Sequence, residues 1–125
     1  MTQKSELGKL GEDLAVEYFE KLGWKILDRN VRLGGDELDL VAQDKNKILV
    51  LVEVKTMRAA PINKTGDWLV PEDQLTLVKL TKFRRAALRY VAHHSELISK
   101  NGFRLDGLAI EVGESRPIFR YYENL

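Results

Sequence analysis

Glu37-Leu38-Asp39-Leu40-Val41-Ala42 and Ile48-Leu49-Val50-Leu51-Val52-Glu53-Val54-Lys55 are the two stretches that decide how this chain folds. Both are rich in Val, Leu and Ile and predict buried β-strands, with Gln43-Asp44-Lys45-Asn46 between them as a hairpin. Three charged side chains, Asp39, Glu53 and Lys55, sit inside these apolar runs. Asp is disfavoured in strand interiors, and a charge among Val and Leu must find a partner or a metal ion. Local pattern and local chemistry disagree here, as they commonly do at functional sites.

Strand side chains alternate between faces, so Glu37 pairs with Asp39 on one face, and Glu53 with Lys55. Asp39 and Glu53 share a face only if residues paired across the hairpin have numbers with an even sum, which requires an odd loop. A three-residue loop of Asp44, Lys45 and Asn46 meets that condition, with Asn46 suited to the left-handed third position. A two-residue turn would put the two acids on opposite faces. Neighbouring carboxylates repel and one tends to protonate, unless a cation lies between them. Mg²⁺ or Mn²⁺ suits such a pair, because a hard cation takes one or two carboxylates and keeps several waters. The carbonyl of Val54 is a further candidate ligand. Lys55 would orient an attacking water or stabilise charge on a phosphate. The competing reading is a Glu53–Lys55 salt bridge or a solvated strand end, and Asp39 brings the two readings level.

N-terminal to these strands, Leu7, Leu10, Leu14, Ala15, Tyr18, Phe19 and Leu22 recur at helical spacing and predict a helix from Lys4 to Leu22, stopped by Gly23. Trp24 to Val31 predicts a first strand and Arg32 to Gly35 a turn. Residues 57–72, with Pro61, Gly66 and Pro71, read as a long loop. Pro71-Glu72-Asp73 opens a second helix running to Ser99, with a break near Thr81. Phe103 to Val112 and Ile118 to Tyr122 are the last strands. The order α-β-β-β-α-β-β predicts an α/β fold, a mixed central sheet flanked by helices, and 125 residues suit a single domain over 1–125.

Composition narrows the chemistry. With no Cys, disulfides and thiolate metal sites are excluded, and with only two histidines a zinc site would have to rest mostly on carboxylates. No apolar run reaches the ~18 residues of a membrane span, and Met1 to Gly11 lacks the apolar core of a signal peptide. The expectation is a cytoplasmic protein with no membrane partner. Net charge is +1, so only the local distribution speaks to nucleic acid. Lys79, Lys82, Arg84, Arg85 and Arg89 form a basic run in which Lys82, Arg85 and Arg89 share a helix side. Such a stripe would contact phosphates in a salt-dependent way, or form a solvated face balanced by Glu72 and Asp73. Arg58 and Lys64 follow the acidic stretch and would guide a phosphate backbone. Trp68 would stack on a base or close the core. Arg29 and Arg32 are weaker candidates. Glu12 lies near Gly8 and Gly11, which permit close approach, and is otherwise an ordinary solvent-facing acid.

Gly8-Lys9-Leu10-Gly11-Glu12-Asp13-Leu14-Ala15 and Leu22-Gly23-Trp24-Lys25-Ile26-Leu27-Asp28-Arg29-Asn30 resemble the opening of the YraN-like family of predicted nucleases. The likeness continues through Asp36-Glu37-Leu38-Asp39-Leu40, Val52-Glu53-Val54-Lys55-Thr56-Met57-Arg58 and the helix around Lys79 and Arg84 to Tyr90. The resemblance implies the restriction-endonuclease-like, PD-(D/E)xK fold and a similarity to archaeal Holliday-junction resolvases. It implies a metal-dependent endonuclease acting on DNA, branched or single-stranded, and a homodimer. By resemblance Glu12 is the helix acid that completes the metal site, Asp39 and Glu53 are the metal acids and Lys55 the catalytic lysine. Asp36 stands where the family usually has Gly, and Leu80 where it often has Gln. The rival expectations are a non-catalytic nucleic-acid-binding module that keeps the fold, and a scaffold domain with no nucleic-acid role.

Overall fold

The computed structural model describes residues 5–58 and 77–125. The first helix, α1, spans Glu6–Lys21. Ser5 starts it by accepting the Gly8 N–H at 3.0 Å, with Glu6 in the first turn and Lys21 in the last, each at the end that suits its charge. Gly23, at φ 84°, turns the chain out of the helix. Strand β1 is Lys25–Leu33 and β2 is Asp36–Gln43. Gly34 and Gly35 join them with φ of 56° and 90°, a tight turn that matches strand twist and favours glycine at both positions. Strand β3 is Leu49–Arg58, helix α2 is Leu77–His93, and β4 and β5 are Phe103–Val112 and Ile118–Tyr122.

The element order is the one expected. The sheet order is β1-β2-β3-β4-β5, and only the β3–β4 pair is parallel. A parallel pair needs a crossover, and the segment carrying α2 supplies it. Several bounds depart from expectation. The second helix does not reach Ser99: it ends at His93, and a 3-10 turn follows at Ser95–Leu97. Nor does it break at Thr81, whose hydroxyl donates to the Leu77 carbonyl at 2.8 Å inside the continuous helix. The expected start at Pro71 lies outside the described residues, and Met57 and Arg58, read as loop, extend β3.

The sheet separates two apolar layers. Val50, Val52 and Val54 point to one side, with Leu40, Leu108 and Ile110, and pack under Ala15 and Phe19 of α1. Leu49 and Leu51 point to the other, with Leu38 and Val41, under Phe83, Ala86, Ala87 and Tyr90 of α2. This is the period-2 alternation of a strand buried on both faces.

A polar cluster that the sequence pattern does not announce stands at the amino-terminal end of β4. Asp106, fully buried, accepts from Arg104 Nε at 3.0 Å, from the Asn124 N–H at 3.0 Å and from the Tyr121 hydroxyl. Arg104 also donates to Tyr121 at 3.1 Å and lies over the Trp24 ring, 5.9 Å from its centroid. Burial, then the Asp106 hydrogen bond, push the Tyr121 phenol well above its usual range, so it stays a donor.

Candidate functional site

Strands β2 and β3 pair from Gln43↔Leu49 to Leu40↔Val52 and then part. The register has the even sum that the two acids require, so Asp39 and Glu53 arrive at the same point of the fork. The odd loop is as expected in length but shifted by one residue. It is Lys45 to Lys47, and Lys47, not Asn46, takes the left-handed conformation at φ 62°. The cause is Asp44, whose carboxylate accepts from the Asn46 N–H at 2.8 Å and the Ile48 N–H at 3.0 Å and so starts the turn one residue later.

Where the ladder stops, a side chain takes over. The Val54 N–H donates to Asp39 Oδ2 at 2.8 Å, across the gap where a strand carbonyl would otherwise accept. Asp39 also interrupts the alternation of its own strand. Leu38 and Val41 pack in the same layer, although their odd separation would put them on opposite faces. Asn30, across from it in β1, has φ 53°. The slip frees β2 from β3 and turns the carboxylate into the gap.

A cavity of about 390 Å³ opens there, and Glu12, Glu37, Asp39, Glu53, Val54 and Lys55 are among the residues that line it. Asp39 is 8% exposed and Glu12 2%. Glu12 is therefore not the solvent-facing acid that was its alternative. Gly11 explains how it gets there: a Cβ at that position would lie 1.7 Å from Thr56 Oγ1, so only glycine lets α1 come this close to β3. Gly11→Ala is expected to overpack the contact, at a cost of about 1–3 kcal/mol. Thermal melts check this: Tm should fall by about 2–8 °C per kcal/mol, and adding Thr56→Gly should recover part of the loss. Unchanged melting in Gly11→Ala would refute the close-approach argument.

Lys55 Nζ lies 3.9 Å from Glu53 Oε1, so the salt bridge proposed as the competing reading exists within the cavity itself. Arg29, a weak nucleic-acid candidate, instead serves the helix. Its Nη2 is 2.7 Å from Asp13 Oδ1 and 3.9 Å from Glu12 Oε1, a pairing that no sequence spacing announced. Four carboxylates against one lysine is a donor set that fits a hard divalent cation. Among the described residues no three acidic or histidine side chains converge as a ready cage, so waters would complete the shell.

The basic run on α2 divides. Arg85 holds Asp36 through two bonds of 2.6 and 2.9 Å. Arg89 donates to the Leu33 and Gly34 carbonyls at 3.0 and 3.3 Å and approaches Asp36 at 3.8 Å. These two arginines clamp the β1–β2 turn, which explains why a charge is tolerated at Asp36. Lys79 and Lys82 lie near the fork, on the rim of a second cavity that also touches Glu53 and Lys55. Arg58 is exposed at the end of β3, and Lys64 and Trp68 lie outside the described residues.

The Arg85 hydrogen bond holds the Asp36 carboxyl below its ordinary value of 3.8. A depressed carboxyl contributes stability that is fully present above pH 3.8 and is lost as pH falls through the folded-state value. The stability difference between wild type and Arg85→Ala should thus shrink on acidification below pH 3.8, measured by denaturant titration. A difference constant through that window would show that the pair is not coupled to folding.

The model of the family described as "Uncharacterised protein family UPF0102" matches residues 11–110. A UPF0102 protein of Renibacterium salmoninarum is 37% identical over 90% of this chain and 87% of its own length. One of Geobacter metallireducens is 41% identical over 94% of this chain and 89% of its own, and one of Geobacter sulfurreducens 41% over 85% and 76%. Their names state no activity.

Proposed function

We propose that this chain, which belongs to the uncharacterised protein family UPF0102, is a Mg²⁺- or Mn²⁺-dependent endonuclease of the restriction-endonuclease-like, PD-(D/E)xK type. It would hydrolyse DNA phosphodiester bonds, with branched or repair intermediates as the substrates to try first. The observation that carries the reading is the fork, where the break in β2–β3 pairing sets Asp39, Glu53, Val54 and Lys55 around one cavity, with Glu12 brought in by α1. A fold alone does not assign chemistry, so the reading rests on these groups.

Asp39 and Glu53 would hold the cation, with the Val54 carbonyl and Glu12 beside them. The cation, when bound, would supply positive charge to a phosphate oxygen and acidify an attacking water. The remaining work falls to the protein. Val54, through its N–H, fixes the rotamer of Asp39. Lys55 stands next to Glu53 and would stabilise charge building on the phosphate. One observation favours a second reading, a nucleic-acid-binding module without turnover: Lys55 lies 3.9 Å from Glu53 inside the cavity, the salt bridge such a module would keep.

The test is cleavage of four-way, flapped, single-stranded and linear DNA with Mg²⁺ or Mn²⁺, against the same reactions in EDTA. Cutting that EDTA stops supports the nuclease. Salt-sensitive binding without cutting, unchanged by EDTA, supports the binding module.

A further inference from the structure

We infer that the cavity on the α2 side of the fork is a second phosphate seat, holding one backbone phosphate of a nucleic-acid strand beside the phosphate at the acidic cavity. The inference rests on the nuclease reading for the identity of the strand. The second cavity measures about 210 Å³ and has Lys79 and Lys82 on its rim. It is joined to the first: Glu37, Glu53 and Lys55 line both. The junction is the gap that opens past Leu40↔Val52.

The two cavities differ in chemistry. Glu12 and Asp39 line the first alone, and its one lysine is Lys55. Lys79 and Lys82 line the second alone. Asp36 also borders the second, but Arg85 grips its carboxylate at 2.6 and 2.9 Å and Arg89 stands 3.8 Å away. The second lining sets Lys55, Lys79 and Lys82 against Asp36, Glu37 and Glu53, and with Arg85 and Arg89 on Asp36 its balance is more positive than that of the α1 side, where four acids face one lysine. An acidic pocket repels phosphate until a cation neutralises it, whereas two lysines on one rim attract phosphate directly. The second cavity is smaller than the ~300–1,000 Å³ of typical small-molecule pockets, so a phosphate suits it and a base pair does not. Holding neighbouring phosphates from β3 and from α2 would fix the direction in which a strand crosses the fork.

The test is equilibrium binding in EDTA to a flapped DNA whose junction fixes the register. One neutral methylphosphonate is placed at each backbone position in turn. Wild type, Lys79→Ala, Lys82→Ala and the distant Lys100→Ala are compared, with orthophosphate as competitor in a parallel arm. Wild type should lose affinity about tenfold at one position. The Lys79 and Lys82 variants should bind the unmodified DNA about tenfold more weakly and ignore the methylphosphonate at that position. Each should also lower the salt slope by about 0.9 for every phosphate it no longer neutralises. Lys100→Ala should behave as wild type. The seat is overturned if both rim variants bind as wild type or remain sensitive to that methylphosphonate. It is also overturned if orthophosphate binds through these lysines while no backbone position matters. Cleavage in Mg²⁺ or Mn²⁺ separates the two ideas. Cutting without a lysine effect removes the seat alone, position-specific binding without cutting removes the nuclease alone, and no binding at low salt removes both.

Discussion

Asp39→Asn should leave the fork standing and abolish metal-dependent cleavage. Asparagine keeps an oxygen that can accept the Val54 N–H, now made by Asp39 Oδ2 at 2.8 Å, so the buried donor stays satisfied and Tm should stay near that of wild type. What the variant loses is the charge. If Asp39 holds a divalent cation, several kcal/mol of transition-state stabilisation disappear, a rate loss of about a thousandfold or more. Asp39→Ala should lose cleavage equally and also stability, by about 1–3 kcal/mol, because the Val54 N–H is left without its acceptor. Single-turnover cleavage beside thermal melting reads both quantities. Wild-type cutting by Asp39→Asn would remove Asp39 from the catalytic set and with it the chemical role of the fork.

Asp106→Ala should have the largest effect on stability and little on chemistry. Asp106 is fully buried and accepts from Arg104, Asn124 and Tyr121. Removing it leaves a largely buried guanidinium with only the longer Asp44 contact at 3.7 Å and strands a backbone N–H and a phenol, and breaking a buried ion pair in this way costs about 3–5 kcal/mol. Against total stabilities of about 5–15 kcal/mol, that leaves the variant close to unfolding. Tyr121→Phe removes one donor to Asp106 and one acceptor of Arg104 but leaves the ion pair in place, and should cost about 1–3 kcal/mol. Urea titration of both variants checks the ranking. Equal losses would mean that the ion pair contributes no more than a neutral hydrogen bond.

Much of the site was legible in the sequence because its residues violate local rules. Asp39, Glu53 and Lys55 stand out as charges in apolar strands, and the even register between them follows from the length of one hairpin. Glu12 was harder, since a helical Glu looks the same whether it faces water or a cavity. Its burial depends on Gly11 meeting Thr56, residues 45 positions apart in the chain. The Lys45–Lys47 loop lies one residue beyond the expected one because the deciding bonds run from backbone N–H groups to the Asp44 side chain.

The sequence by itself determined the element order and the two faces of β3, because apolar periodicity is local and the same period governs burial. Only the tertiary structure decided which charges line the candidate site and which are taken up by partners in the fold. Arg85 and Arg89, equal in sequence to Lys79 and Lys82 as phosphate contacts, are drawn to Asp36 and the Gly34 turn. Arg104 and Asp106, two residues apart on an ordinary strand, become a buried pair because Tyr121 and Asn124 close over them. A charge is assigned its role by the partners within about 4 Å, and those partners come from distant segments that only folding brings together.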